Sequence, residues 1–168
     1  MTAFRLLHFI SLLLSTLIIV CAAAVSPKQI CPKTRNPSLC FRILGSTDTP
    51  VDLRDLSRKA LKFANLSVIL ALDEAQALGK FEENPVLKDR YRSCWKSFGR
   101  VNDYVAEYSK LLADQQRLQS VASDALKVAG ACDPLFSQPP SEPADLKTVS
   151  DNLQDVCSIL LVIALQHD

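Results

Sequence analysis

The sequence predicts an all-α fold, a four-helix bundle in up-down-up-down order behind a short cysteine-framed segment. Three observations carry that reading. After residue 50 the apolar residues recur at spacings of three and four, and strand-type alternation is nearly absent. Ahead of that region, Cys31 and Cys40 frame the stretch I-C-P-K-T-R-N-P-S-L-C, where Pro32 and Pro37 enforce a bend. The joints near residues 79–84 and 113–116 are short, which favours antiparallel neighbours.

The first expected element, residues 1–24, is a secretory signal. Met1 to Leu7 carry one positive charge, at Arg5; Ile10 to Val20 is almost wholly apolar; Ala22-Ala23-Ala24 supplies small residues for cleavage before Val25. The run is shorter than the roughly 20 apolar residues of a membrane span. Residues 25–50 form an N-terminal extension and 51–168 the bundle, together one domain from 25 to 168. The bent turn can bring Cys31 and Cys40 together, and their bridge would fix its shape.

Four stripes define the bundle helices. Leu53, Leu56, Ala60, Phe63, Leu70 and Ala71 give the first, ending near Gly79. Leu87, Tyr91, Cys94, Phe98, Val101, Val105, Tyr108 and Leu112 give the second, which Asn84-Pro85 begins with a capping residue and a first-turn proline. Leu118, Ala122, Ala125, Ala129 and Cys132 give the third, with Gly130 near its end. Leu146, Val149, Leu153, Val156, Leu160 and Ile163 give the fourth. Between the last two, residues 133–143 hold four prolines and must be a loop. A bridge from Cys94 to Cys132 would tie adjacent helices, and Cys157 is expected to be a buried, inert free thiol.

Removal of residues 1–24 takes away Arg5, so 18 of the 19 basic residues remain against 18 acidic ones. A formally neutral chain argues against nucleic-acid binding and, once the signal is gone, against a polybasic membrane role. The one histidine left, His167, lies next to the chain end and makes a poor general base. No C-x-x-C or H-E-x-x-H spacing offers a metal site, and the few glycines build no phosphate loop. No cofactor is expected, and no enzymatic activity. The carboxylate pairs Asp73-Glu74, Glu82-Glu83 and Asp103/Glu107 read as solvated helix surface, and Trp95 as partly buried packing. Asn65-Leu66-Ser67 matches the N-glycosylation acceptor, off the apolar stripe.

From Ile30 to Leu165 the chain resembles the plant inhibitors of pectin methylesterase and invertase. The likeness lies in the Ile30–Cys40 stretch, D-L-R-D-L from Asp52, N-P-V-L-K-D-R-Y-R-S-C around Cys94, the Ala113-Asp114 turn, and L-Q-D-V-C-S-I-L-L-V-I in the closing helix. It implies that residues 25–50 form a disulfide-stapled helical hairpin. It also implies a secreted, apoplastic (cell-wall) inhibitor that covers the substrate cleft of a pectin methylesterase in a non-covalent 1:1 complex. The turn Ala113 to Leu118 lacks the Pro-Lys-Phe motif of the invertase branch, which makes acid invertase the alternative target. Tyr91, Lys96, Arg100, Asp103, Asp114 and Gln116 are the candidate partner contacts. Lys96 and Arg100 replace acidic residues usual in the family, Asp124 adds a charge to helix three, and Ala131 and Pro134 replace a threonine and an acid. Such changes would weaken attraction to a basic esterase. A family member without inhibitory activity and a small-molecule carrier are the remaining readings; a carrier would need a hollow interior.

Overall fold

The computed structural model describes residues 24–167, and the expected signal segment lies outside them except for Ala24. Two residues, Ala24–Val25 (β1), pair antiparallel with Val51–Asp52 (β2), in the register Ala24 to Asp52 and Val25 to Val51. Between these strands lies a helical hairpin of α1 (Pro27–Ile30), a 3-10 turn (Cys31–Lys33) and α2 (Pro37–Leu44). The bundle follows as α3 (Leu53–Phe81), α4 (Pro85–Lys110), α5 (Gln115–Ala129) and α6 (Ala144–Ala164). In the bundle α3 packs on α4 and α6, and α5 packs on the same two helices, so the four form an up-down square.

Local chemistry sets most boundaries. Asn36, Asp52, Asn84 and Asp114 cap α2, α3, α4 and α5 by accepting hydrogen bonds from first-turn amides. Pro37 and Pro85 follow two of those caps, where a missing N–H costs nothing. Gly45 ends α2 at φ 95°, a left-handed conformation that suits glycine. The proline-rich loop is held down by Arg90, whose Nη1 donates to the carbonyls of Gln138 at 2.9 Å and Pro140 at 2.8 Å.

Both expected bridges are present, Cys31–Cys40 and Cys94–Cys132. The second closes a separation of 38 residues, which in the chain-entropy account contributes about 4 kcal/mol. Cys132 lies three positions past the end of α5, at the start of a 3-10 turn (Asp133–Phe136), and not on the third helix. Cys157 is a buried free thiol whose pKa burial pushes up to about 12.

The first stripe needs correction. Phe63 and Leu70 face outward on α3, at 41% and 50% exposure; Ser57, Leu61, Ala64, Val68 and Ala75 join Leu53, Leu56, Ala60 and Ala71 in the core. Helix α3 also runs on to Phe81, past Gly79. Phe98, Tyr108, Leu118, Leu153 and Leu160 fill the bundle interior. There the Tyr108 hydroxyl lies 3.3 Å from Ser57 Oγ and donates to the Leu160 carbonyl at 3.2 Å. Burial raises its pKa to about 12.

From Leu153 to Ala164 helix α6 is buried nearly all round, including Gln154, Cys157 and Ser158, and Ser150 is buried one turn earlier. The hairpin covers the side that the bundle leaves open. Arg35 donates from its backbone to Ser158 Oγ at 3.1 Å and from Nη1 to Gln154 Oε1 at 2.8 Å, while Asn36 Nδ2 donates to Asp155 at 2.8 Å. Gln154 Nε2 in turn donates to Asp133 at 3.1 Å. Every polar group drawn under the hairpin by this arrangement has a partner, as burial requires.

Candidate functional site

The six candidate contacts separate into two groups. Tyr91 belongs to the core. It is 3% exposed, its ring sits 5.9 Å from that of Phe136, and burial together with the Glu82 carboxylate holds its phenol above the ordinary tyrosine range. A side chain in that position offers a partner almost no surface, so Tyr91 leaves the candidate set.

The other five are exposed. Lys96, Arg100 and Asp103 follow at i, i+4 and i+7, so they form one row on the outer face of α4. One further turn along, Glu107 continues the row and pairs with Arg117 of α5 at 3.0 Å, which places it beside that neighbour. From Lys96 to the end of α4 at Lys110 the helix rises roughly 21 Å. Asp114 and Gln116 begin α5 at that far end. Asp114 is already engaged, since its carboxylate accepts from the Arg117 amide at 3.4 Å and caps the helix. The departures from the resembled pattern at Lys96 and Arg100 therefore lie at the end of this surface away from Asp114 and Gln116, while Ala131 and Pro134 sit beside the Cys94–Cys132 bridge.

Two other surface features escaped the sequence reading. Trp95 is 44% exposed, not packed away, and stands in a groove of about 250 Å³ between α3 and α4. Ala75, Gln76, Gly79, Lys80, Lys88 and Arg92 complete its lining. Lys88, Arg92 and Trp95 fall at i, i+4 and i+7, a spacing that could have flagged a common face. On the other side of α3, a shallow apolar groove of about 230 Å³ is bordered by Phe63, Leu66 and Leu70, by Leu39 of α2 and by Val149 and Val156 of α6. Asn65 of the glycosylation acceptor is exposed on α3.

Among the described residues, no group of three or more His, Cys, Asp or Glu side chains could hold a metal ion, and no helix is long and apolar enough to cross a membrane. What the surface offers is a face of exposed charges on two helices tied by the Cys94–Cys132 bridge.

Comparison with known proteins gives consistent matches. The profile of the plant invertase/pectin methylesterase inhibitor family matches residues 25–163. A pectinesterase inhibitor of Actinidia deliciosa is 34% identical over 140 residues, covering 81% of this chain and 76% of that protein. Pectinesterase inhibitor 1 of Arabidopsis thaliana is 26% identical, covering 93% of this chain and 92% of its own length. Among solved structures, a mutant form of an Arabidopsis pectin methylesterase inhibitor superposes with a TM-score of 0.74 at 25% identity, over 84% of this chain and 96% of that one. A second crystal structure, of a pectin methylesterase inhibitor from Arabidopsis thaliana, gives 0.65 at 26% identity, over 82% and 92%.

Proposed function

Because the chain belongs to the plant invertase/pectin methylesterase inhibitor family, we propose that it is a secreted inhibitor of a pectin methylesterase. It acts by binding and not by turnover, lying across the esterase's substrate cleft in a non-covalent one-to-one complex. The observation that carries this reading is the likeness to a named pectinesterase inhibitor at 34% identity over most of the chain. Secretion into the cell-wall space follows from the apolar leader and from two disulfides, which persist in oxidising compartments.

The physical basis is preorganisation. A partner of this kind binds well when little motion is lost on association. Here the Cys94–Cys132 bridge and the packed core hold α4 and α5 before any partner arrives. The row Lys96, Arg100, Asp103, with Gln116 at the far end, forms the proposed contact face; a stable complex would bury about 1,200–2,000 Å² in total. Two cations in that row reduce attraction to a basic esterase and favour a target whose cleft rim is acidic.

Titration of the purified protein against a pectin methylesterase tests the reading. Demethylesterification falls in proportion to added protein and ends at equimolar addition. Charge reversal by Lys96→Glu with Arg100→Glu changes the association rate by about tenfold or more at low salt, with a smaller effect at high salt. Full esterase activity at severalfold excess rejects the proposal for that enzyme. Loss of acid invertase activity in a parallel titration would move the target to invertase.

A further inference from the structure

We propose that the groove between α3 and α4 around Trp95 binds an acidic oligosaccharide, a chain of uronate sugars. The indole would serve as a stacking platform, and Lys80, Lys88 and Arg92 would meet the carboxylates.

The groove's charge is one-sided. Three of its lining residues are cationic and none is acidic, in a chain whose charges balance to within one overall. All three cations are exposed and only weakly committed. Lys88 has no side-chain partner among the described residues. Lys80 rests over the exposed Phe81 ring at 5.2 Å. Arg92 pairs with Asp89 at 2.9 Å, but both side chains are more than half exposed. Exposed pairs of that kind are worth about 0–1 kcal/mol, so an incoming carboxylate can replace Asp89.

The floor explains why a sugar fits. Ala75 and Gly79, with at most a methyl between them, leave it low and apolar. Trp95 stands beside that floor, 44% exposed. The C–H face of a pyranose ring is likewise apolar and flat, and its hydroxyls can reach the exposed amide of Gln76. An aromatic with an apolar body and a polar edge suits such a half-wet contact. Lys88, Arg92 and Trp95 span roughly 10 Å along α4, so an extended chain meets charges and ring in succession. An acidic peptide would satisfy the cations but would leave the exposed ring without a matching flat partner.

This inference stands apart from the inhibition reading, because binding is read with no enzyme present. If both hold, the two are linked by chemistry. Hydrolysis of a methyl-esterified uronate polymer exposes carboxylates, so the groove would hold the inhibitor where the esterase has already acted.

Trp95 is the only tryptophan in the chain, so intrinsic fluorescence reports on the groove directly. In calcium-free buffer, the full protein is titrated with oligogalacturonate, with its fully methyl-esterified form, with a neutral malto-oligosaccharide of equal length and with polyglutamate. A saturable emission change with oligogalacturonate alone, weakening as salt is raised, supports the proposal. Lys88→Ala and Arg92→Ala, both at exposed positions, then each weaken binding about two- to fivefold while leaving the fold intact by circular dichroism. Trp95→Phe, followed by calorimetry, keeps part of the affinity and Trp95→Ala loses more. The proposal is overturned by no response to oligogalacturonate, by an equal response to the esterified or neutral sugar, or by polyglutamate binding as tightly.

Discussion

Helices α3 and α6 both carry more apolar residues than one buried stripe needs, and the protein treats the surplus in opposite ways. On α6, Ile159, Val162 and Ala164 are buried along with the stripe residues Leu153, Val156 and Leu160. On α3, Phe63, Leu66, Ile69 and Leu70 stand 41–53% exposed. Part of the difference lies in how the hairpin sits. It is hydrogen-bonded to α6 through Arg35 and Asn36, whereas on α3 it packs beside the groove that Leu39 and Arg42 border, leaving Phe63, Leu66 and Leu70 in the open. An apolar side chain on a helix is core or surface according to what the rest of the chain lays over it.

Matched truncations give the largest contrast. Ile159→Ala, at a fully buried position, is expected to cost about 2–5 kcal/mol, whereas Leu66→Ala, on the open face of α3, stays within about 0.5 kcal/mol. Urea denaturation of the two variants measures both, and similar losses would mean that α3 is also covered in solution. A smaller effect probes the cover itself. Arg35→Ala leaves Gln154 Oε1 without its donor and Asp155 without its ion pair, a loss of about 1–3 kcal/mol, also read by denaturant midpoint. No change there would mean that the Arg35 side chain adds nothing to the hold of the hairpin on α6.

The smallest effect comes from the loop leading into α6. Burial, then repulsion from Asp133, holds the Glu142 carboxyl above its ordinary range, with Lys147 opposing. A raised folded-state pKa means that the folded protein takes up this proton before the unfolded chain does. The contribution to stability is therefore complete below the ordinary carboxylate pKa and is lost as pH rises through the folded value. Glu142→Gln should raise the melting temperature slightly near neutral pH, with the gain over the parent shrinking as pH falls through the carboxylate range. A gain constant with pH would contradict this assignment.

Much of the architecture was legible before any coordinates. Asn84-Pro85 marked the start of α4 because capping and proline geometry are local, and the four prolines of residues 133–143 excluded a helix for the same reason. Of the proposed contact row, the i, i+4, i+7 spacing of Lys96, Arg100 and Asp103 could be read directly. Tyr91 shows where that kind of reading stops. It fitted both the apolar stripe and the contact list, and the Phe136 ring arriving from a distant loop put it in the core. Trp95 failed in the other direction. Its place next to the inward stripe suggested packing, yet the small residues on α3, Ala75 and Gly79, line an open groove with it and leave it partly in water.

Taken alone, the sequence determined the four bundle helices, the capped starts of several of them and which cysteines pair, since these can be read from residue type and spacing. Only the tertiary structure decided which apolar faces are covered, where the cations gather around Trp95, and that Phe63 and Leu70 point to solvent. Those outcomes depend on neighbours many residues away in the chain, whose position is set by global packing and leaves no mark in local periodicity.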